Sequence, residues 1–371
     1  MAQKPSNLTR RRVLVGGGVV LAAGAGLAGG SYLRMGSAED YARAMRDLRA
    51  PLGAGGDMRE LVRFATLAAN GHNTQPWRFR LEQGRIAITP DFTRRTPVVD
   101  PDDHHLFVSL GCAAENLALA AAARGLPGEF VHSPEDGPLT YAYTSGEARP
   151  SALCEAIPTR QSTRAPFNGG IATAEHLALL EQAARIDGVN LVLLTERPAI
   201  DALRDLVIAA NSEQMRDPAF VEELEQWLRF NPRAALDRGD GIPGAASGNP
   251  ALPSWLGHAI FGLVFTEDAE NAKYARQIDT SSGIAVFAGD KADPAHWVKV
   301  GRACQRFALQ ATALGMKLSF INQPVEVARF RPELAALAGM EGLRPDIVLR
   351  FGYGVKMPMS PRRPVEAVIE L

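Results

Sequence analysis

The chain predicts a mixed α+β fold in which one helix-and-strand unit occurs twice. The first observation behind this is an internal match without gaps. Residues 111–125 and 301–315 share both terminal glycines and the pairs Ala113/Ala303, Ala118/Ala308, Leu119/Leu309, Ala121/Ala311 and Ala123/Ala313. Small residues at helical spacing let two helices approach closely, and a terminal glycine stops a helix. The second observation is that each copy runs into an extended segment, 129–132 and 318–321, as a repeated supersecondary unit would. The third is the alternation of helix-period and strand-period segments along the rest of the chain. At 371 residues there is length for one large domain or two ordinary ones. We divide it into residues 1–38, 39–150 and 151–371.

The first piece reads as an address. Thr9-Arg10-Arg11-Arg12-Val13-Leu14 precedes an uncharged Gly- and Ala-rich stretch to Leu33, followed by polar sequence from Ser37. This is the pattern of a twin-arginine export signal, with Gly36 and Ala38 suiting a small-residue cleavage site. The expected location is periplasmic or membrane-anchored, and the export machinery is an expected partner. Gly24, Gly26 and Gly29 match G-x-G-x-x-G, but that fingerprint needs a preceding strand, a following helix and an acidic residue about 20 positions on, and Gly- and Ala-rich signals produce the spacing by chance, so the match is set aside.

In the second piece, residues 59–69 have helical period, and 78–81 with 85–88 read as a hairpin turning at Gly84. In the third, 173–184 is a helix capped by Thr173, 198–230 forms one or two helices, and 191–194, 284–287 and 345–351 are strands. Residues 237–257, within a lid-like insertion at about 235–257, are rich in Gly, Pro and small side chains and too long for an ordinary connection. Lid and disordered insertion fit that composition equally, while Trp255 and the apolar 259–265 favour a segment that docks.

Composition excludes some functions. Forty Lys and Arg balance 41 Asp and Glu for a net charge of −1 without a sustained basic run, which argues against nucleic-acid binding. Cys112, Cys154 and Cys304 show no metal spacing and are expected as small buried hydrophobes, with no disulfide assumed. The run Asp100 to His105 has metal-ligand residue types, but a solvated helix start fits it better. No G-x-S-x-G elbow or Ser/His/Asp order suggests a hydrolase, and no catalytic side chain or metal is assigned.

Three segments carry binding chemistry. Asn73, Thr74 and Gln75 offer amides and a hydroxyl to the polar edge of a planar ligand, Pro76 stops the preceding helix, and Trp77 anchors the next strand. A surface turn before a buried Trp fits the same residues, and His72 there reads as a turn residue. Arg160, Gln161, Ser162, Thr163 and Arg164 place two guanidinium groups and two hydroxyls together, a phosphate-binding combination, although a solvated turn fits as well. Arg362 and Arg363 add a cationic pair near the end of the chain.

The Asn-Thr-Gln-Pro-Trp loop and the Arg160–Arg164 cluster resemble the flavin loop and the FMN phosphate segment of the nitroreductase family. The likeness covers most of the chain after about residue 55 and is strongest to its Acg-like, twin-arginine-exported branch, in which two nitroreductase units are fused. The resemblance implies a nitroreductase-like fold made as a pseudo-dimer. Arg160, Ser162, Thr163, Arg164, Arg362 and Arg363 would hold the phosphate end of FMN. Asn73, Thr74, Gln75 and Trp77 would serve the ring from the other half, and Ile321 and Asn322 would run along the ring edge. The reciprocal site lacks both motifs, so one FMN per chain is implied and no homo-oligomer is required. The implied activity passes electrons from NAD(P)H or another donor through FMN to a nitroaromatic or quinone-type small molecule. The alternative is a flavin-sequestering protein with little turnover.

Overall fold

A computed structural model describes residues 32, 34–53, 55, 57–132 and 139–370. Residues 1–31 of the expected export segment lie outside them. In chain order the helices are α1 (Ala38–Leu48), α2 (Met58–Thr66), α3 (His104–Ala123), α4 (Ala152–Ala156), α5 (Ala174–Ala184), α6 (Arg197–Arg216), α7 (Pro218–Gln226), α8 (Pro232–Arg238), α9 (Ser254–Val264), α10 (Glu267–Asp279), α11 (Pro294–Ala313), α12 (Gln323–Glu326) and α13 (Arg331–Leu337). The strands are β1 (Trp77–Glu82), β2 (Arg85–Pro90), β3 (Gly128–His132), β4 (Leu139–Tyr143), β5 (Val189–Leu194), β6 (Leu228–Arg229), β7 (Ile242–Pro243), β8 (Gly283–Gly289), β9 (Lys317–Phe320), β10 (Pro345–Gly352) and β11 (Ile369–Glu370).

The mixed α+β expectation holds. One sheet has the order β11-β1-β2-β4-β3 and the other β5-β8-β10-β9, each beside one of the two repeat helices. The hairpin β1/β2 turns at Gly84, whose φ of +73° is the left-handed conformation that glycine adopts without cost. Every residue of β8 and β10 is buried, which suits the near-continuous apolar run of β8. The last strand, β11, leaves the second half and pairs parallel with β1, placing Phe79 opposite Ile369. The chain end is thereby stitched into the first sheet.

The repeat helices α3 and α11 cross at their shared glycines. A Cβ on Gly111 would stand 2.0 Å from the Val298 carbonyl oxygen, and one on Gly301 would stand 2.0 Å from that of Val108. Each glycine thus meets the carbonyl three positions before the other, a reciprocal contact between the two matching helices. Only glycine permits backbones this close. Around the crossing, Phe307 stands edge-on to Phe287 and Phe351 at centroid distances of 5.7 and 5.6 Å.

Polar contacts at the same interface are not symmetric. Glu115, buried, accepts from Arg302 Nε at 2.9 Å and Arg306 Nη1 at 2.8 Å. Gln305 Nε2 donates to Asn116 Oδ1 at 2.8 Å, Asn116 Nδ2 donates to the Phe64 carbonyl at 2.9 Å, and Ala69 N donates to Gln305 Oε1 at 3.2 Å. The crossing is therefore hydrogen-bonded to the segment that leaves α2.

The region 198–230 resolves into two helices, because Asp217 caps α7 with Pro218 at its first position and so ends α6. Residues 237–257 take defined local elements. The segment starts at the end of α8, where Gly239 turns the chain at φ +65°, pairs β7 with β6, makes a short turn over Gly244–Ser247 and runs into α9.

Alanine at Gly111 or Gly301 should push the two helices apart. The expected loss is about 2–4 kcal/mol for either single variant, at the upper end of overpacking costs. Urea denaturation measures it, and an unchanged midpoint would show that the close approach is not what binds the halves.

Candidate functional site

A strained turn follows α2. His72, Asn73 and Gln75 have φ of 47°, 55° and 56°, left-handed values that cost a non-glycine residue of order 1 kcal/mol or more each. The turn is held from all sides. Asn73 Nδ2 donates to the carbonyls of Gly241 (3.0 Å) and Pro361 (3.1 Å), and its Oδ1 accepts from Arg362 Nη1 at 2.9 Å. Gln75 Nε2 donates to the Gly239 carbonyl at 2.8 Å, its Oε1 accepts from Arg363 N at 2.9 Å, and Gly241 N donates to the Asn73 carbonyl at 3.2 Å. These are the two amides expected to address a ligand ring, and here they meet backbone and Arg362 instead. Both amides are consumed in clasping 239–241 and 361–363 to the loop.

The segment around Arg164 is positioned by a residue the sequence reading passed over. Arg350 lies on fully buried β10, where its Nη2 donates to the carbonyls of Thr163 at 2.8 Å and Ala165 at 2.9 Å, and its Nη1 to that of Gln277 at 3.1 Å. Its guanidinium carbon sits 4.0 Å from the Phe167 ring centroid, and burial pulls its pKa down to about 9. Thr163 N donates to the Leu318 carbonyl at 2.7 Å, tying the same segment to β9.

A cavity of about 280 Å³ opens between these parts. Its walls include Asn70, Gly71 and His72 from the turn, His105 and Ser109 from α3, Ser162 and Arg164, the run Ser319–Phe320 and Asn322–Gln323, and side chains of α6 and α10. An arm of about 50 Å³ continues from it past Ala69, Asn70, Ser162, Arg164 and Ile242, which line both spaces. Arg49, Arg160, Arg164 and Arg362 line the arm, and no carboxylate is among the described residues that do so.

Such a cluster of buried cations has no internal counter-charge. Burial lowers the pKa of all four, and Arg49 falls to about 9 through burial and the neighbouring charge of Arg160. Arg49 Nε and Arg160 Nε are buried without a partner. Arg164 forms no side-chain hydrogen bond or ion pair among the described residues, although its backbone carbonyl accepts from Gln277. An anion entering the arm would neutralise these charges, the ordinary use of convergent arginines.

The other expected site residues divide cleanly. Ser162 and Asn322 line the cavity. Arg362 reaches the arm but spends itself on carbonyls at the end of α2, those of Thr66, Leu67 and Ala68. Arg363 lies outside both spaces, with Nη2 on the Ala367 carbonyl at 2.8 Å and Nη1 3.7 Å from Asp91. Thr74, Trp77, Thr163 and Ile321 are buried and line neither space.

Besides Arg350, sequence reasoning missed Arg49 and an acid-base pair in the cavity. Glu326 accepts from Gln214 Nε2 at 2.7 Å and lies 4.0 Å from His105 Nδ1. Burial raises the pKa of Glu326 and lowers that of His105. The one available signal was a charged residue inside an apolar strand, as at Arg350; Arg49 and Glu326 carry none. Asp100, His104 and His105 bring potential ligand atoms within 4.8 Å of one another. Asp100, however, gives both oxygens to backbone N–H groups of the first turn of α3, at 3.0 and 2.9 Å.

Comparison with known proteins bears out the nitroreductase resemblance. The chain is 26% identical over 329 residues to the "Putative NAD(P)H nitroreductase Rv3131" of Mycobacterium tuberculosis, covering 84% of this chain and 91% of that protein. It is 24% identical over 333 residues to the "Putative NAD(P)H nitroreductase acg" of the same organism, covering 85% and 95%. No family model matches. Among solved structures, a nitroreductase with bound FMN from Desulfitobacterium hafniense aligns with a TM-score of 0.38 at 15% identity, over 60% of this chain and 99% of that one. The FMN-dependent nitroreductase NfnB from Mycobacterium smegmatis in complex with NADPH also gives 0.38 at 15%, over 59% and 97%.

Two outcomes follow from the geometry. Gln75→Ala would leave the Gly239 carbonyl and Arg363 N without partners, at a cost of about 1–3 kcal/mol. Limited proteolysis should then cut within 237–257 faster than in the parent chain, and equal rates would dismiss the clasp. His72 has its pKa lowered to about 4 by burial, Arg164 and His105. Its folded pKa lies below the free value of about 6.5, so its contribution is complete above that pH and is lost as the pH falls from 6.5 through 4. The loss is up to about 3 kcal/mol. His72→Asn, which tolerates left-handed φ, should show a smaller drop in urea midpoint between pH 7 and pH 4.5; the same drop in both proteins would count against it.

Proposed function

We propose that the chain is an FMN-dependent oxidoreductase of the nitroreductase type, passing electrons from a reduced donor such as NAD(P)H to a small nitroaromatic or quinone-type acceptor. The observation that carries this reading is Arg164. It is an unpaired cation at the junction of an acid-free arginine arm and a cavity large enough for a planar ring. FMN fits that donor set, since its phosphate would take Arg49, Arg160 and Arg164 with the Ser162 hydroxyl, and its ring would extend toward Ser319 and Asn322. The two relatives named as NAD(P)H nitroreductases support the same class of chemistry.

Bound FMN supplies two-electron transfer, and the protein supplies position, charge and exclusion of water. Arg164 and Arg160 hold an anion against the junction of the two halves. Ile242, Phe261 and Phe265 cover the cavity from the β7–α9 side and keep it dry. Glu326, its pKa raised by burial and its carboxyl oriented by Gln214, stands at the cavity wall as the group to exchange a proton with a reduced acceptor. Export through the twin-arginine route with the cofactor already inserted, to a periplasmic or membrane-anchored location, belongs to the same proposal and rests on Arg10 to Arg12 and the segment after them.

A second reading, flavin sequestration with slow exchange, draws support from the clasp of 239–241 on the loop. Anaerobic NADPH separates the two. Rapid bleaching of the bound flavin, followed by recovery on adding a nitroaromatic, is the enzymatic result, whereas a flavin that stays oxidised would leave sequestration. For the site itself, Arg164→Ala should lower FMN retention about ten- to hundredfold, as the loss of a charge-assisted bond implies. Arg363→Ala should leave it nearly unchanged. Flavin content after gel filtration reads both, and equal retention in the two variants would remove the phosphate assignment.

A further inference from the structure

A cavity of about 710 Å³ lies behind the arginine arm and is touched by nothing in the proposed redox chemistry except Arg49 and Pro358, which border both spaces. We infer that this groove is a separate binding site for one small anionic amphiphile, a molecule with an apolar body and a carboxylate or similar head.

The groove runs between α1, the Phe230–Pro232 corner, the Gly244 turn and residues 356–359. Tyr41, Met45, Phe230 and Met359 make its apolar wall. Tyr41 spends its hydroxyl on the Met359 carbonyl at 2.6 Å, so the wall offers few polar partners to a sugar or nucleotide. Pockets of this volume with apolar walls and a few placed charges are the usual form of small-molecule sites.

The charges are of one sign. Arg46, Arg49, Arg229 and Lys356 line the groove, and no Asp or Glu does so among the described residues. Arg229 is neutralised by Asp240, with Nη2 at 2.6 Å from Oδ1. Arg49 is shared with the arm. Arg46 and Lys356 remain, both exposed and without an ion pair among the described residues. The acidic Asp40 on α1 is occupied by Ser37 and Arg43. Charge complementarity therefore selects an anion for the head, while Met45 and Phe230 select an apolar body; a cationic amphiphile would meet only repulsion.

Calorimetry on the full chain with monomeric decanoate tests this, with decyltrimethylammonium as the charge-reversed comparator and phosphatidylglycerol vesicles as the membrane comparator. The expected result is saturable binding of one decanoate per chain, at least about tenfold tighter than the cation, a difference of about 1.4 kcal/mol. Arg46→Glu with Lys356→Glu should weaken decanoate about tenfold and erase its advantage over the cation. Ala42→Trp, an exposed position on the lining helix, should fill the groove and abolish binding. Circular dichroism melts of these surface variants check that they fold. Equal affinity for the cation, binding untouched by Ala42→Trp, or binding only to vesicles would each overturn the proposal. So would decanoate binding that emerges only after removal of residues 1–31, because the chain's own N-terminal segment would then be the occupant.

Discussion

The close crossing of Gly111 on Gly301 is the constraint on which the remaining structure depends. Two helices that touch through backbone atoms bring the two sheets to a fixed separation. They also place the first turns of α3 beside β9 and β10, where the cavity opens. The hydrogen-bond chain from Phe64 through Asn116 and Gln305 to Ala69 transmits that geometry to the turn that follows. Glycine is needed twice because each helix presents its carbonyl to the other; one larger side chain would displace both halves of the site together.

Within that frame, two unfavourable features sit side by side. Three left-handed positions within four residues, His72, Asn73 and Gln75, store conformational strain, and the arm beside them gathers arginines without a carboxylate. Neither is a way to stabilise an empty fold. Both are tolerated because surrounding groups over-determine them: Arg362 closes the end of α2, and Arg350 fixes the carbonyls of Thr163 and Ala165. An anion in the arm would add the missing counter-charge.

The two matching helices differ in their polar equipment more than in their backbone approach. Glu115 and Asn116 of α3 stand at the positions of Gln305 and Arg306 in α11, so the packing is nearly symmetric while the charges are not. The arginine segment lies in the second half of the sequence division and the strained turn in the first. Residues 237–257, which composition left open between lid and disorder, became a clasp because Asn73 and Gln75 supply it with amide hydrogen bonds.

The sequence alone determined the repeat helices, the hairpin and most strands, since these follow from local periodicity, glycine stops and capping residues. It also brought Ser162 and Arg164 into view, because clustered guanidinium and hydroxyl groups have a recognisable chemistry wherever they fold. Tertiary structure alone decided the direction of each side chain at the turn. Asn73 and Gln75 have the right groups to meet a ring, but a hydrogen-bonding amide takes the partner that packing brings to it, and here that partner is backbone at 239–241 and 361–363. For the same reason Arg363 left the site and Arg49 entered it: local pattern sets which groups exist, and only the path of distant segments sets which of them face one another.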